Sequence, residues 1–234
     1  MKAKLLIICV AILVLSGCSK PVEHEKTAGD FIRFIAVQNY EDAKALSSGK
    51  VLYNISTAGK KVISPAKVVD IKTQTVAQSS DWCEIATTTK TEVNGDLDIS
   101  WHRLSLTKKD GTWKVYQTEN AGPILTGSST RVVADDVRSA EEVFNAYIKA
   151  LAGNKQESVQ YLAGPARRSQ EASVVMLGST PLFQNIEDAS LTPLWQDSGL
   201  LVCCAEYAVD GRDAKVVVTF ASLNTWKIVE VSTC

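Results

Sequence analysis

The residues able to do acid–base or nucleophilic chemistry are few and scattered. The chain has two histidines, His24 and His102, among 234 residues. A general base needs reach to its proton and a pKa tuned by its surroundings. His102, beside Trp101, is the best single candidate for that role. Asp70 alternates with Val69 and Ile71 and so faces solvent in a strand, while Asp81, after Ser79-Ser80, suits a turn better than a base. The sequence has no phosphate-binding glycine loop, no zinc-type CxxC or HExxH spacing and no GxSxG elbow. No catalytic residue, metal or cofactor is therefore assigned, and the reading leans away from an enzyme.

Bulk composition narrows the function classes further. Lys+Arg number 25 against 26 Asp+Glu, a formal charge of −1, which lacks the basic excess that a phosphate backbone demands, so no nucleic-acid partner is expected. A hydrophobic content of 45% argues for a folded chain rather than wholesale disorder.

The N-terminus reads as an address. Lys2 and Lys4 precede an uncharged apolar run from Leu5 to Leu15, too short to cross a ~30 Å hydrocarbon core as a helix and right for a secretory signal. Leu15-Ser16-Gly17-Cys18 resembles the bacterial lipobox. The resemblance implies cleavage after Gly17 and lipidation of Cys18, with diacylglycerol on sulfur and a fatty acyl group such as palmitate on the new amino group. It makes the protein extracytoplasmic and membrane-anchored, since two or more acyl chains hold stably to a bilayer. The expected organisation is a signal peptide over 1–17, a polar tether over 18–26, a first domain over 27–120, a linker over 121–133 and a second domain over 134–234.

Those two domains look like one unit written twice. Phe31 to Leu46 lies over Tyr147 to Leu162 at a constant offset without a gap, and Thr112-Trp-Lys-Val115 lies over Thr225-Trp-Lys-Ile228. Phe31, Phe34 and Ile35 recur at helical spacing, as do Val137, Ala140, Phe144, Ile148 and Leu151 behind Asp135-Asp136. Gly153-Asn154 should end the longer helix, with a shorter one over 156–162. Strand-like runs follow each opening, over 68–77, 82–91, 97–107 and 113–118, then over 183–192, 200–209, 214–222 and 225–232. Asn94-Gly95, Asp110-Gly111 and Asp210-Gly211 supply tight hairpin turns. Between 97 and 107 the apolar set shifts phase from Leu97, Ile99 and Trp101 to Leu104 and Leu106, which predicts a bulge near His102-Arg103. Helices followed by an antiparallel meander give an α+β fold with helices on one sheet face.

This order is similar to that of the nuclear-transport-factor-2-like superfamily, with its cystatin-like cone. The resemblance is carried by the aromatic-led helix with Asn39-Tyr-Glu-Asp-Ala43 or Asn154-Lys-Gln-Glu-Ser158 at its bend and by the terminal Trp-Lys strand. It implies a curved sheet wrapped around helices, and enzymes of the superfamily place an Asp or His base inside the cone. His102 has no counterpart in the second unit, where the comparable strand reads Val216-Val-Val-Thr-Phe220, so a histidine without a task is favoured.

The other chemistry-bearing side chains are cysteines and tryptophans. Secretion permits disulfides. A meander puts Cys234 at the wrong end of its strand to bridge Cys203, and only one of Cys203 and Cys204 should reach the core. Cys83 and Cys203 are expected either as packed thiols or as an interdomain bridge. Trp113 and Trp226 should be core residues, while Trp195, in a loop, is a pocket or interface candidate together with Trp101 and His102. The leading expectation is a lipid-anchored, non-enzymatic binding or scaffold module with an envelope protein partner. The alternative is a small-molecule or isomerase-like pocket inside a cone, and an open or a packed interior separates the two.

Overall fold

Ala28, Phe31, Ile32 and Ile35 follow the three- and four-residue spacing of one helix face, and helix α1, Glu23–Ala36, buries the first three of them. The computed structural model describes residues 22–57, 66–125, 131–181, 183, 185–197 and 199–233. Gly17, Cys18 and Cys234 lie outside the described residues. Helix α1 starts within the stretch read as tether. His24 is buried there, its Nε2 3.1 Å from Thr75 Oγ1 and its ring edge-on to Trp113 with centroids 5.3 Å apart.

Gln38, at φ +60°, turns the chain out of α1, and the Asn39 side chain accepts from the Asp42 amide to start α2, Tyr40–Ala45. Helix α3, Gly49–Thr57, completes the first trio. The second unit repeats it with α4, Ala134–Gly153, a 3₁₀ turn over Glu157–Tyr161, and α5, Gly164–Leu177. Asp135 and Asp136 occupy the first turn of α4. Its end differs from expectation: Asn154 is extended at φ −145° rather than left-handed. The third helix of each unit was not foreseen. Val51 is the one buried side chain of α3, and α5 buries only Gly164, so neither helix packs a broad apolar face into a core.

Strands β1 (Lys67–Gln78), β2 (Trp82–Val93), β3 (Asp96–Lys109) and β4 (Thr112–Ala121) form one antiparallel meander. Strands β5 (Ser190–Asp197), β6 (Leu200–Val209), β7 (Arg212–Ser222) and β8 (Trp226–Thr233) form the second. The α+β fold with two successive helix-then-meander units is therefore as expected. At Asn94-Gly95, Asp110-Gly111 and Asp210-Gly211 both residues have positive φ, the geometry a two-residue hairpin loop needs.

Register shows how closely the units match. Ser47 bridges Val115 in the first, and Leu162 bridges Ile228 in the second. From these anchors the ladders place Leu106 opposite Val115 and Cys83, and Phe220 opposite Ile228 and Leu201. Even the irregularities coincide. Pairing slips by one residue at Val76 in β1 and Leu194 in β5, and again at Tyr116 in β4 and Val229 in β8. Extra residues at the same ladder positions bend both sheets in the same way.

Three expectations are corrected by this register. The strand expected over 183–192 is instead β5, so Trp195 lies in an edge strand, half-buried and paired with Val202. Pro193 is tolerated there because an edge position needs no donor. The β2–β3 ladder runs without a slip from Trp82 to Val93, so no bulge interrupts it at His102-Arg103. The phase change has another cause: both faces of β3 are covered. Leu104 and Leu106 face the helices in the first core, whereas Ile99 and Trp101 face outward into a cluster with Ala221 and Val229 of the second sheet.

Cysteine placement bears out packed thiols at Cys83 and Cys203 and corrects the expectation for Cys204. Cys83, Cys203 and Cys204 are buried free thiols, which removes the bridge between Cys83 and Cys203. Cys203 aligns with Ile85, not with Cys83. Cys204 is also buried, 7% exposed on the face opposite Cys203, because that face is covered as well. Trp113 sits in the first core, and Trp226 packs half-buried against the second.

The two units are fastened at the start of α5. Strand β4 pairs with β3 only as far as Trp101, leaving the stretch before it without a partner on that side. Gly164, at φ +57°, lies against this edge, where an added Cβ would stand 2.7 Å from the Ile99 carbonyl oxygen and 3.3 Å from Trp101. Its amide donates to Asp98 Oδ1 at 2.6 Å, so a carboxylate of the first unit caps a helix of the second.

Candidate functional site

Strand alternation places Thr87, Thr89 and Thr91 of β2 and Ser100 and His102 of β3 on the helix-facing side of the first sheet. Above them α1 contributes Phe31, Ile32, Ile35 and Ala36, and α3 contributes Val51, Asn54 and Ile55. Helices and sheet do not close on each other. A cavity of 390 Å³ remains between them, completed by Ala66 and by Thr118 and Asn120 on β4. That volume is in the range of small-molecule sites, about 300–1,000 Å³. One wall is apolar and helical. The other is a row of hydroxyls, an amide and an imidazole.

Thr89 is 2% exposed, and its Oγ1 has no hydrogen-bond partner. Most buried hydroxyls are paired, because an unpaired one forfeits about 1–3 kcal/mol of solvation. The neighbouring Thr87 Oγ1 does find an acceptor, the His102 carbonyl oxygen at 3.4 Å. His102 Nε2 lies 3.3 Å from Ser100 Oγ. Burial lowers the His102 pKa below the ordinary imidazole range, the Arg168 charge lowers it further, and a hydrogen bond with Asn120 opposes both. His102 is accordingly a neutral ring at neutral pH. The guanidinium that acts on it belongs to α5 of the second unit and sits 3.5 Å from Asp98 Oδ2.

Among the described residues, none that lines the cavity is an acid, a lysine or an arginine. A lone neutral imidazole beside a serine hydroxyl, with no carboxylate behind it, is poorly equipped for proton transfer but well suited to hydrogen bonding. Among the described residues no group of three His, Cys, Asp or Glu side chains is placed to hold a metal ion.

The second unit shows the same framework with bulkier inner side chains. The ladders align Thr87, Thr89, Ser100 and His102 with Ala205, Tyr207, Ala214 and Val216. Tyr207 packs edge-on against Phe144, with ring centroids 5.7 Å apart. At the first-unit position matching Phe144 stands Ala28. The aromatic pair narrows the second unit without closing it: a depression of 270 Å³ remains at the corresponding place, with Tyr147 and Val231 where the first unit has Phe31 and Thr118. Other depressions differ in kind. One of 580 Å³ is lined by Glu187, Asp188, Glu206 and Asp213 beside Lys215, and has little apolar wall.

Of the residues proposed from sequence, His102 lines the cavity, Trp101 is buried where the two units meet, and Trp195 belongs to neither. Trp101 is 1% exposed, and its indole N–H has no acceptor. Asp81 occupies the β1–β2 turn, as read, where its carbonyl accepts from the Lys108 amide. Thr89, Ser100, Thr118 and Asn120 were not singled out. For Thr89, Ser100 and Thr118 the signal was legible only by laying the two units over each other, where the matched positions hold Tyr207, Ala214 and Val231; Asn120 matches the polar Thr233 and carried no such signal.

Comparison with known proteins adds little. No family model matches the chain, and no curated protein matches it. A solved structure described as an "Ntf2 like protein involved in plasmid conjugation" is similar over 90% of this chain and 96% of that chain, at 10% sequence identity and a TM-score of 0.33.

Proposed function

We propose that this protein is a lipid-anchored binding module of the cell envelope, whose first unit holds one small ligand and whose second unit, with a smaller and more polar depression, serves as its structural copy. The carrying observation is the cavity against which Thr89 packs: a 390 Å³ space, apolar on its helical side, with a buried and unpartnered hydroxyl behind its polar wall, where the second unit keeps only 270 Å³. An envelope protein partner that receives or senses the loaded module is part of the reading. The lipobox-like Leu15-Ser16-Gly17-Cys18 supports the anchor. From Cys18 to the start of α1 at Glu23 is a reach of at most about 18 Å, at 3.3–3.6 Å per residue. The cavity is built on the C-terminal half of α1, so the tether holds the opposite end of the unit to the bilayer.

Titration of the soluble chain with Nile red, an uncharged polarity-sensitive dye, tests the binding reading. One saturable site is expected, and it should be lost in Thr118→Trp, which plugs the mouth from an exposed edge-strand position that accepts aromatics. Saturable binding that Thr118→Trp leaves intact would reject the cavity as the site. For the anchor, Cys18→Ser should move the protein from the membrane to the soluble extracytoplasmic fraction.

A further inference from the structure

The chemistry of the cavity wall is specific enough to name a ligand class, an inference that rests on the binding reading above. From the row of uncharged donors and acceptors facing an apolar helical wall, we infer that the ligand is an uncharged amphiphile, with an aliphatic or ring body and one hydroxyl or carbonyl oxygen set against Thr89.

Three observations carry this. First, Thr89 lines the cavity while its Oγ1 is buried without a partner, so a turn about χ1 that brings the hydroxyl to the cavity surface forfeits no hydrogen bond and gains one from an occupant that offers an oxygen acceptor. Second, among the described residues the polar groups of the lining are Asn54 on α3 and, on the sheet, Thr89, Thr91, Ser100, His102, Thr118 and Asn120, none of them formally charged once the histidine is neutral. A carboxylate or ammonium brought into this space would leave water without a counter-charge, which costs far more than burying a neutral oxygen. The nearest guanidinium, Arg168, is already set against Asp98 at 3.5 Å and is not part of the lining. Third, polarity is one-sided. Phe31, Ile32, Ile35, Val51 and Ile55 cover the helical wall, so a ligand with polar groups all round, such as a sugar, would bury hydroxyls against hydrocarbon.

The test is competition for bound Nile red at pH 7.5 by 1-decanol, decanoate and decylamine, which share a chain and differ in head group. The expected result is displacement by 1-decanol at a concentration at least tenfold below that needed for either ion. Thr89→Val should weaken 1-decanol about fivefold, the usual loss of one net hydrogen bond, while leaving Nile red itself bound. Decanoate or decylamine equal to or better than the alcohol would overturn the inference, as would a Thr89→Val variant that binds 1-decanol unchanged. If all three probes fail while Nile red still binds at the Thr118-sensitive site, the ligand class is wrong and the binding reading stands. If Nile red finds no such site, both fall.

Discussion

Thr89→Val is the substitution that separates a ligand-binding wall from an ordinary core position. It exchanges a hydroxyl for a methyl of nearly the same shape at a residue 2% exposed, with no hydrogen bond to lose. A buried unsatisfied hydroxyl costs about 1–3 kcal/mol. The ligand-free variant should therefore be more stable than the natural chain, by about 1–2 kcal/mol after allowance for the open cavity beside it. For a protein of this size, 1 kcal/mol moves the midpoint of thermal unfolding by about 2–4 °C, so a rise of about 2–8 °C is expected. Thr87→Val is the control, because Thr87 Oγ1 is spent on the His102 carbonyl at 3.4 Å and its removal should cost up to about 1 kcal/mol. Urea unfolding of the three proteins, with slopes compared so that only midpoints carry the difference, measures both effects. Stabilisation by Thr89→Val with loss of ligand affinity is the signature of a group kept for binding. A variant destabilised by 1 kcal/mol or more would show that the hydroxyl is already satisfied, and the argument from it would fail.

Further expectations follow from the same coordinates. Gly164→Ala should cost about 2–4 kcal/mol, because a Cβ there meets the Ile99 carbonyl at 2.7 Å at positive φ, whereas Gly111→Ala, at φ +81° with nothing within 4 Å, should cost only about 1 kcal/mol; chemical denaturation of both decides it. Tyr207→Ala should open the second unit and create a second Nile red site at a cost of about 2–4 kcal/mol, and a stoichiometry still at one would mean that the unit collapses onto the gap. With its pKa lowered in the fold, His102 contributes stability that is whole above the ordinary imidazole pKa of about 6.5 and is lost as pH falls toward the folded value; His102→Asn should flatten that part of the stability profile between pH 7 and 5. Burial pushes the Cys83 thiol up to about 11 and the Cys203 thiol up to about 12, so neither should be alkylated at pH 8 until the protein unfolds, as mass spectrometry of iodoacetamide-treated protein would show.

Much of the architecture is written in local patterns. The three turn dipeptides with glycine, the apolar face of α4 and the limits of β6 need no tertiary context, because positive φ and burial periodicity are properties of the segment itself. The misreadings arise where burial is decided by a distant part of the chain. Trp101 turns its strand out of phase because the second sheet covers the outer face of the first, a contact no short window contains. Leu194 and Val76 break the alternation of β5 and β1 by bulging outward, half or more exposed, and so hid the true limits of β5. Helix α5 ends in Val175, Met176 and Leu177, each at least 70% exposed, so its apolar residues describe no buried stripe. The candidate site was the least legible. Threonines alternating in a strand are ordinary, and only the contrast of Thr89 with Tyr207 at one ladder position marks them as the wall of a space left open.

Native mass spectrometry of the full chain, extracted from membranes with Cys18 intact, tests the central claim most directly. The account predicts one small uncharged molecule per chain beyond the mass of the acyl groups, absent from the Thr118→Trp variant. A chain that carries no small molecule, or an adduct that Thr118→Trp leaves in place, would contradict it.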